Sequence, residues 1–238
     1  MKALHWIWLV LTVGLMGYGF YQAMYVAPTE ATMGDIQRIF YYHVPSAMLS
    51  FLFFFISFLS SVAYLVTHQN HPSRALTADA LALASAEVGV VFCTVVLITG
   101  PLWARPVWGI WWTWDARLTT TLVLWLVYVS YLLLRHFASG SQVQTLAAVL
   151  AIFGYVDVPI VYMSTRWWRT QHPGPVFGGG EGSGVAPSMK VAFGWNVLAW
   201  FAWGVLVLGY RFYVERRRQR VEQHAALRAL DTNLEVMP

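Results

Sequence analysis

Tryptophans and charged side chains crowd into one stretch of the sequence, WARPVWGIWWTWDARLTTT at residues 103–121, where they could bind a flat ligand. Five tryptophans fall within its first twelve residues, and its ionisable residues are Arg105, Asp115 and Arg117. Indole rings suit a membrane–water boundary, which would account for one or two of these tryptophans. Five in one connection, where Pro106 and Gly109 are expected to interrupt a helix, favour an aromatic platform over an unusually heavy interfacial belt.

Two histidines, His43 and His172, are the candidate metal ligands. Each stands close to a proline, in the segments YHVP and HP, and each lies among aromatic residues and arginines. Pro45 disfavours a helical conformation at Val44, so His43 is expected in a loop just above the membrane surface. A lone histidine at the border of a membrane span is usually an interfacial residue, and the residue types alone leave both interpretations open.

Haem is the ligand whose chemistry fits this combination of residues. Imidazole is a common axial ligand of haem iron, indole rings can cover the porphyrin, and the two propionates need cationic hydrogen-bond donors. Each such charge-assisted hydrogen bond is worth roughly 1.5–3 kcal/mol. The candidate donors are Arg105, Arg117, Arg166 and Arg169. Zinc fits less well, because two histidines leave a zinc site short of ligands.

Three acidic residues have other expected roles. Asp115 stands where the fourth apolar run begins and is predicted to cap that helix, a contribution of about 1 kcal/mol. Glu87 and Asp157 lie inside apolar runs, where an ionisable group is a functional candidate by default. The alternative for both is a protonated carboxyl hydrogen-bonded to a neighbouring helix. Pro159 is predicted to kink the helix that contains Asp157.

Apolar runs along the chain predict an all-α, polytopic membrane protein. Hydrophobic residues make up 58% of the chain and charged residues 11%, which is too apolar for a soluble domain. Six runs approach or exceed the ~20 residues that cross ~30 Å of hydrocarbon. They are residues 4–26, 46–66, 78–99, 119–137, 143–163 and 191–213. The runs lack the alternation of a β-barrel, so six transmembrane helices form a single membrane domain over residues 1–238.

An arginine-rich tail, residues 214–238, predicts the orientation in the membrane. Six spans put both termini on one side, and arginines favour the cytoplasm. The outer loops are then residues 29–45, 100–118 and 164–190, and His43 and His172 are the only two of the seven histidines on that side. These loops hold more basic residues than the inner loops, which indicates an anionic ligand or partner. Nucleic acid is not the expected partner, because no aromatic residues are interleaved with the tail arginines.

Three segments of the sequence resemble a known family. The segment WGIWWTWDARLT at residues 108–119 is similar to the tryptophan-rich (WWD) signature of the haem-handling membrane proteins of cytochrome c maturation. The number of spans, the segment YHVP at residues 42–45 and the segment WWRTQH at residues 167–172 resemble the haem exporter protein C (CcmC) family in particular. The resemblance covers nearly the whole chain.

The resemblance implies a function that the residues alone do not give. Proteins of this family hold haem b at the periplasmic face of the bacterial inner membrane and deliver it to the periplasmic haem chaperone CcmE for c-type cytochrome biogenesis. They work with the ATP-binding-cassette transporter subunits CcmA and CcmB and the small membrane protein CcmD. This role is haem handling and transport, not enzyme catalysis. It implies His43 and His172 as axial ligands of the haem iron, on a platform of Trp108, Trp111, Trp112, Trp114 and Asp115.

A redox protein and a permease are the two alternatives to haem delivery. A membrane cytochrome b-type redox protein would retain its haem, but bundle cytochromes hold their ligands within facing spans, whereas His43 and His172 are predicted in outer loops. A permease could use a polar path through Glu87 and Asp157. The two halves of the chain, however, show no repeated pattern of broken helices, which is expected of such transporters.

Overall fold

The computed structural model describes residues 2–140, 142–178 and 184–235, so parts of the third outer loop and of the tail lie outside the described residues. Within them the chain is helical, and six helical segments are long and apolar enough to cross a membrane. The predicted polytopic all-α fold is therefore confirmed. The helices are α1 (Lys2–Tyr21), α2 (Phe40–Thr67), α3 (Pro72–Trp108), α4 (Ala116–Phe137), α5 (Val143–Tyr155), α6 (Asp157–Trp167) and α7 (Lys190–Glu235).

Short turns of other helix types extend this arrangement. A π-helical turn (Gln22–Val26) continues α1, and 3-10 turns (Asp35–Ile39 and Pro187–Met189) lead into α2 and α7. Helices α5 and α6 together make the fifth span, with a break at Val156. This break lies three residues before Pro159, whose missing N–H removes one backbone hydrogen bond of the helix. The kink expected at Pro159 stays a prediction.

Two expectations about proline were wrong. Pro45 lies inside α2 and is fully buried, and α3 continues through both Pro101 and Pro106. Membrane helices tolerate proline because neighbouring helices and local backbone adjustments compensate for the lost hydrogen bond. Helix α3 ends instead at Gly109, whose φ of 77° is a left-handed conformation that glycine adopts readily.

Helices α2 and α3 form a closely packed hairpin at the centre of the bundle. A Cβ atom at Gly89 would lie 2.6 Å from the ring of Phe54, so only glycine lets α3 approach α2 so closely. Phe54 in turn stacks on Tyr128 of α4 at 3.8 Å between ring centroids. Helix α4 also packs against α5 and α6, while α1 packs mainly against α7.

The bundle has two ends, which we name by their contents. The tryptophan end carries residues 27–39, 109–115, 168–178 and 184–189, and the tail end carries residues 68–71, residues 138–140 and 142 between α4 and α5, and the C-terminal part of α7. At the tail end, Arg135 donates to both carboxylate oxygens of Asp79 at 2.6 and 2.9 Å, and Gln219 donates to Asp79 at 3.2 Å. These buried side chains hold α3, α4 and α7 together.

Glu87 forms an ion pair inside the bundle. Its carboxylate accepts two hydrogen bonds from the Arg211 guanidinium of α7, at 2.5 and 2.6 Å. The expected alternatives were a functional group or a protonated carboxyl hydrogen-bonded to a neighbouring helix. Because an ion pair inside a span removes most of the cost of burying either charge alone, the structure makes Glu87 a link between α3 and α7.

Candidate functional site

His43 lies in the first turns of α2 and is buried, with 8% of its surface exposed. The prediction that it occupies a loop above the membrane is therefore wrong. Its Nδ1 is 2.9 Å from the hydroxyl oxygen of Thr99 in α3. That hydroxyl already donates its hydrogen to the carbonyl oxygen of Val95 at 2.6 Å. The Nδ1–H of His43 must then be the donor to Thr99, which leaves the lone pair of Nε2 free.

His172 lies in the loop after α6, as the sequence predicted, and is half-buried. Its Nδ1 is 2.7 Å from the carbonyl oxygen of Pro173, which can only accept a hydrogen bond. The Nδ1–H therefore donates, and here too Nε2 keeps its lone pair. Burial and the nearby charge of Arg117 lower the pKa of His172 below its ordinary value. The ring is consequently neutral at physiological pH, as a metal ligand must be.

The fold brings the two histidines together at the tryptophan end. His172 lies close enough to His43 for the charge of one ring to act on the other, and Arg117 lies near both rings. Among the described residues, no cluster of three or more His, Cys, Asp or Glu side chains could hold a metal ion. Two imidazoles would be enough for a six-coordinate haem iron, which takes two axial ligands in addition to the porphyrin. That His43 and His172 are these ligands stays a prediction.

Asp115 joins the tryptophan-rich loop to the loop of His172. One carboxylate oxygen accepts the backbone N–H of Leu118 at 2.9 Å, which confirms the predicted helix cap. The other oxygen accepts the hydroxyl of Thr170 at 2.7 Å, and Thr170 in turn accepts the backbone N–H of His172 at 3.1 Å. Asp115 thus holds His172 through Thr170.

The tryptophans of the predicted platform differ in exposure. Trp108 is the last residue of α3, while the other three lie in the loop between α3 and α4. The side chains of Trp111 and Trp114 are 56% and 76% exposed. Trp112 is half-buried, and its indole N–H is buried without a hydrogen-bond partner among the described residues. The platform therefore combines an unpaired buried donor with two exposed rings.

Two tryptophans at the same end were not among the predicted site residues. Trp167 and Trp168 are 56% and 50% exposed and meet edge to face, with ring centroids 5.8 Å apart. They extend the exposed aromatic surface on the side of His172. Their position in the segment WWRTQH, just before that histidine, was a signal in the sequence.

The four predicted arginines have different surroundings. The Arg117 guanidinium donates to the carbonyl oxygens of Val161 and Tyr162 in α6, at 2.6 and 3.4 Å. Arg105 donates to the carbonyl oxygen of Gly109, which closes the end of α3. Arg166, in the last turn of α6, and Arg169, in the loop that follows, are both exposed. Their role as propionate donors stays a prediction for all four.

Two threonines that orient the histidines had no signal in the sequence. Thr99 stands in an apolar run and Thr170 in a polar loop, and neither belongs to a recognisable motif. Each was found only because the fold places its hydroxyl against a ring nitrogen or a carboxylate. Thr99 fixes the tautomer and the orientation of the His43 ring, and Thr170 holds the backbone of His172.

Comparisons with known proteins agree with the resemblance noted in the sequence. A family model described as "Heme exporter protein C" matches residues 1–227. Heme exporter protein C of Escherichia coli (strain K12) is 33% identical over 214 residues, which are 89% of this chain and 79% of that protein. Heme exporter protein C of Bradyrhizobium diazoefficiens is 38% identical over 172 residues, which are 72% of this chain and 62% of that protein. A putative cytochrome c biosynthesis ccmC-like mitochondrial protein of Marchantia polymorpha is 34% identical over 158 residues, 66% of this chain and 64% of that protein. This chain belongs to the heme exporter protein C family.

Proposed function

We propose that the protein binds haem b between His43 and His172 and passes it on in c-type cytochrome biogenesis. The names of its relatives support a role in haem handling. The observation that carries the site is the hydrogen bonding of the two rings. Each donates its Nδ1–H to an oxygen, so each presents a free Nε2 lone pair, and His172 lies within electrostatic range of His43.

The surroundings of the histidines suit a porphyrin. Trp103 meets the ring of His43 edge to face at 5.9 Å, and the exposed indoles of Trp111 and Trp114 offer flat apolar surface. The unpaired indole N–H of Trp112 is a donor for a carboxylate oxygen of the ligand. Arginines at this end supply positive charge for the propionates. Bound haem would supply an iron centre that accepts both imidazoles.

Delivery of haem is favoured over its retention, because the two proposed ligands are held differently. His43 is fixed inside α2, while His172 sits in a loop that Asp115 holds through Thr170. A partner can displace a ligand on a loop without unfolding a helix. Trp111, Trp114, Trp167 and Trp168 expose the residue type most enriched in interaction hot spots.

We assign the haem chaperone CcmE as the partner that receives haem at this surface. CcmA, CcmB and CcmD are the further partners that family membership suggests. The protein then acts by transfer of its cargo, with no catalytic residue of its own. Haem is bound through the ligands and platform already named.

We place the protein in the bacterial inner membrane, with both termini in the cytoplasm and the haem site in the periplasm. The support is the even number of spans and the exposed arginines at the end of α7. A reporter fused at Pro238 and another inserted at Gly174 should report opposite sides. Finding the reporter at Gly174 in the cytoplasm would overturn this orientation.

A haem-retaining cytochrome b is the second candidate, and one observation favours it. His43 is buried within a membrane helix, as ligands of bundle cytochromes are. Only His172, which lies in a loop, still differs from the ligands of bundle cytochromes. The two candidates differ in whether haem leaves the protein.

An optical spectrum of the purified protein, oxidised and reduced, tests the site. We expect a bis-histidine haem b spectrum, which His43→Ala and His172→Ala each weaken or shift. His71→Ala, at the exposed tail end, is the matched control and should leave it unchanged. An unchanged spectrum in the double substitution His43→Ala/His172→Ala would remove both ligands from the site.

Transfer is tested separately by mixing the haem-loaded protein with haem-free CcmE. We expect haem to appear on CcmE in a haem-stained gel. Haem that stays with this protein under all conditions would favour the cytochrome function.

A further inference from the structure

A groove between α2 and α3 opens at the tail end, far from the histidine pair. Its volume is about 400 Å³. Its apolar lining includes Leu59, Ala63 and Leu81, and its polar lining includes Ser73, Arg74 and Thr77. The groove exists because residues with small side chains stand where larger ones would fill the space between the helices.

The polar and apolar residues lie at different depths. Helix α2 ends at Thr67, eight residues after Leu59, which at ~1.5 Å per residue places Leu59 about 12 Å further into the bundle. Ser73 and Arg74 belong to the first turn of α3, at the mouth of the groove. An occupant must therefore be polar at the mouth and apolar along the next 10 Å or so.

Arg74 carries an unsatisfied positive charge at this mouth. Its guanidinium is exposed and has no hydrogen-bond or ion-pair partner among the described residues, whereas Arg135 and Arg211 are each paired with a carboxylate. The backbone N–H groups of Arg74 and Ala75 both donate to the carbonyl oxygen of His71. The N–H of Ser73 lies in the first turn of α3, where backbone donors have no partner within the helix. The first turn of a long helix adds a partial positive charge.

We propose that this groove is a binding site for an anionic phospholipid. The phosphate lies against Arg74 and the hydroxyl of Ser73, and one acyl chain lies along Leu59, Ala63 and Leu81. The charge at the mouth is complementary to a phosphate, and the apolar wall is complementary to a hydrocarbon chain. A free inorganic phosphate would leave the apolar wall uncovered, and a protein helix about 10 Å wide is too large for the space.

The test uses the full-length protein in detergent and native mass spectrometry. The protein is titrated with phosphatidylglycerol, which is anionic, or phosphatidylcholine, which has no net charge. We expect one tightly held phosphatidylglycerol, bound about fivefold more tightly than phosphatidylcholine. Both lipids have a phosphate, but the choline cation of phosphatidylcholine offsets its negative charge, and one arginine near an anionic headgroup contributes on the order of 1 kcal/mol. Arg74→Gln should abolish this preference and leave a weak site that does not distinguish the two lipids.

Two further variants separate the groove from general attraction to a basic protein. Ala63→Phe fills the groove from an exposed position and should reduce retention of both lipids. Arg220→Gln removes an exposed arginine of α7 outside the groove and should change nothing. Equal retention of both lipids by the unmodified protein would overturn the proposal, as would an equal loss of phosphatidylglycerol in Arg74→Gln and Arg220→Gln.

Discussion

Removing the Asp115 carboxylate should weaken haem binding, although this residue is proposed to act through its neighbours. Asp115→Ala removes a helix cap worth about 1 kcal/mol and the hydrogen bond from Thr170, which at 2.7 Å to a carboxylate is worth roughly 1.5–3 kcal/mol. Only the second contact positions His172. We therefore expect haem affinity to fall by up to roughly 150-fold, the limit reached when all of that second contribution holds His172 in place for the iron.

A double-mutant cycle with Thr170 isolates this contact. Thr170→Val removes the hydroxyl that donates to Asp115 and also accepts from the backbone N–H of His172. Because both single substitutions break the same connection, the double substitution should lower haem affinity no further than the more damaging single one. Thr170→Ser keeps the hydroxyl and should restore binding. Thr113→Val is the control, since that hydroxyl is 3.4 Å from the same carboxylate and contributes little.

The assay is haem titration of the purified variants, followed by the Soret absorbance, with thermal melting of the haem-free protein as a second measurement. Melting reports what the cap and the Thr170 hydrogen bond together contribute to the stability of the haem-free protein, and Thr170→Val removes only the second of these contacts. Asp115→Asn should keep most of the cap, since asparagine is also a good N-cap residue. Additive losses in the double variant, or normal haem affinity in Thr170→Val, would refute the proposed connection from Asp115 to His172.

Three further predictions concern other parts of the molecule. Replacing Trp111 and Trp114 by Ala should impair haem loading of the chaperone more than replacing Trp6 and Trp8. Both pairs are exposed, but only the first lies at the proposed site. Equal losses on a haem-stained gel would mean that these rings serve only membrane anchoring. Because its folded-state pKa is lowered, His172 in the haem-free protein should stay neutral below the ordinary value of about 6.5. As the pH falls, His172 becomes protonated in the unfolded chain before it does so in the folded protein. Its contribution to stability therefore decreases as the pH drops below about 6.5. An NMR titration of His172 with an ordinary midpoint would contradict this. Arg135→Met should destabilise the protein by about 3–5 kcal/mol, because it leaves the buried carboxylates of Asp79 and Glu215 without that guanidinium. Thermal melting beside Arg220→Met, an exposed change expected to stay within about 0.5 kcal/mol, checks it.

Helix boundaries were the part of the fold that the sequence predicted least well. The second span begins at Phe40 and the third ends at Trp108, outside the apolar runs at residues 46–66 and 78–99. Proline was expected to end these helices, since in isolation it removes a backbone hydrogen bond. Tertiary packing outweighed that local cost at Pro45, which is fully buried, and placed His43 inside a helix.

The sequence by itself determined the features that depend only on residues close together along the chain. Six apolar runs predict six spans because crossing hydrocarbon requires length and hydropathy alone. The cap at Asp115 and the helix end at Gly109 follow from one residue type at one position. The motifs around His43, His172 and the tryptophans sufficed to identify the family.

Only the tertiary structure decided which side chains meet. The hydrogen bonds from His43 to Thr99 and from Thr170 to Asp115 join residues 56 and 55 positions apart, and the ion pair of Glu87 with Arg211 joins residues 124 positions apart. A buried polar group needs a partner, but any of several groups in the sequence could supply it. The choice follows from helix packing, which sets the depth and rotation of each helix and so determines the free nitrogen of His43, whereas that of His172 follows from its neighbour Pro173.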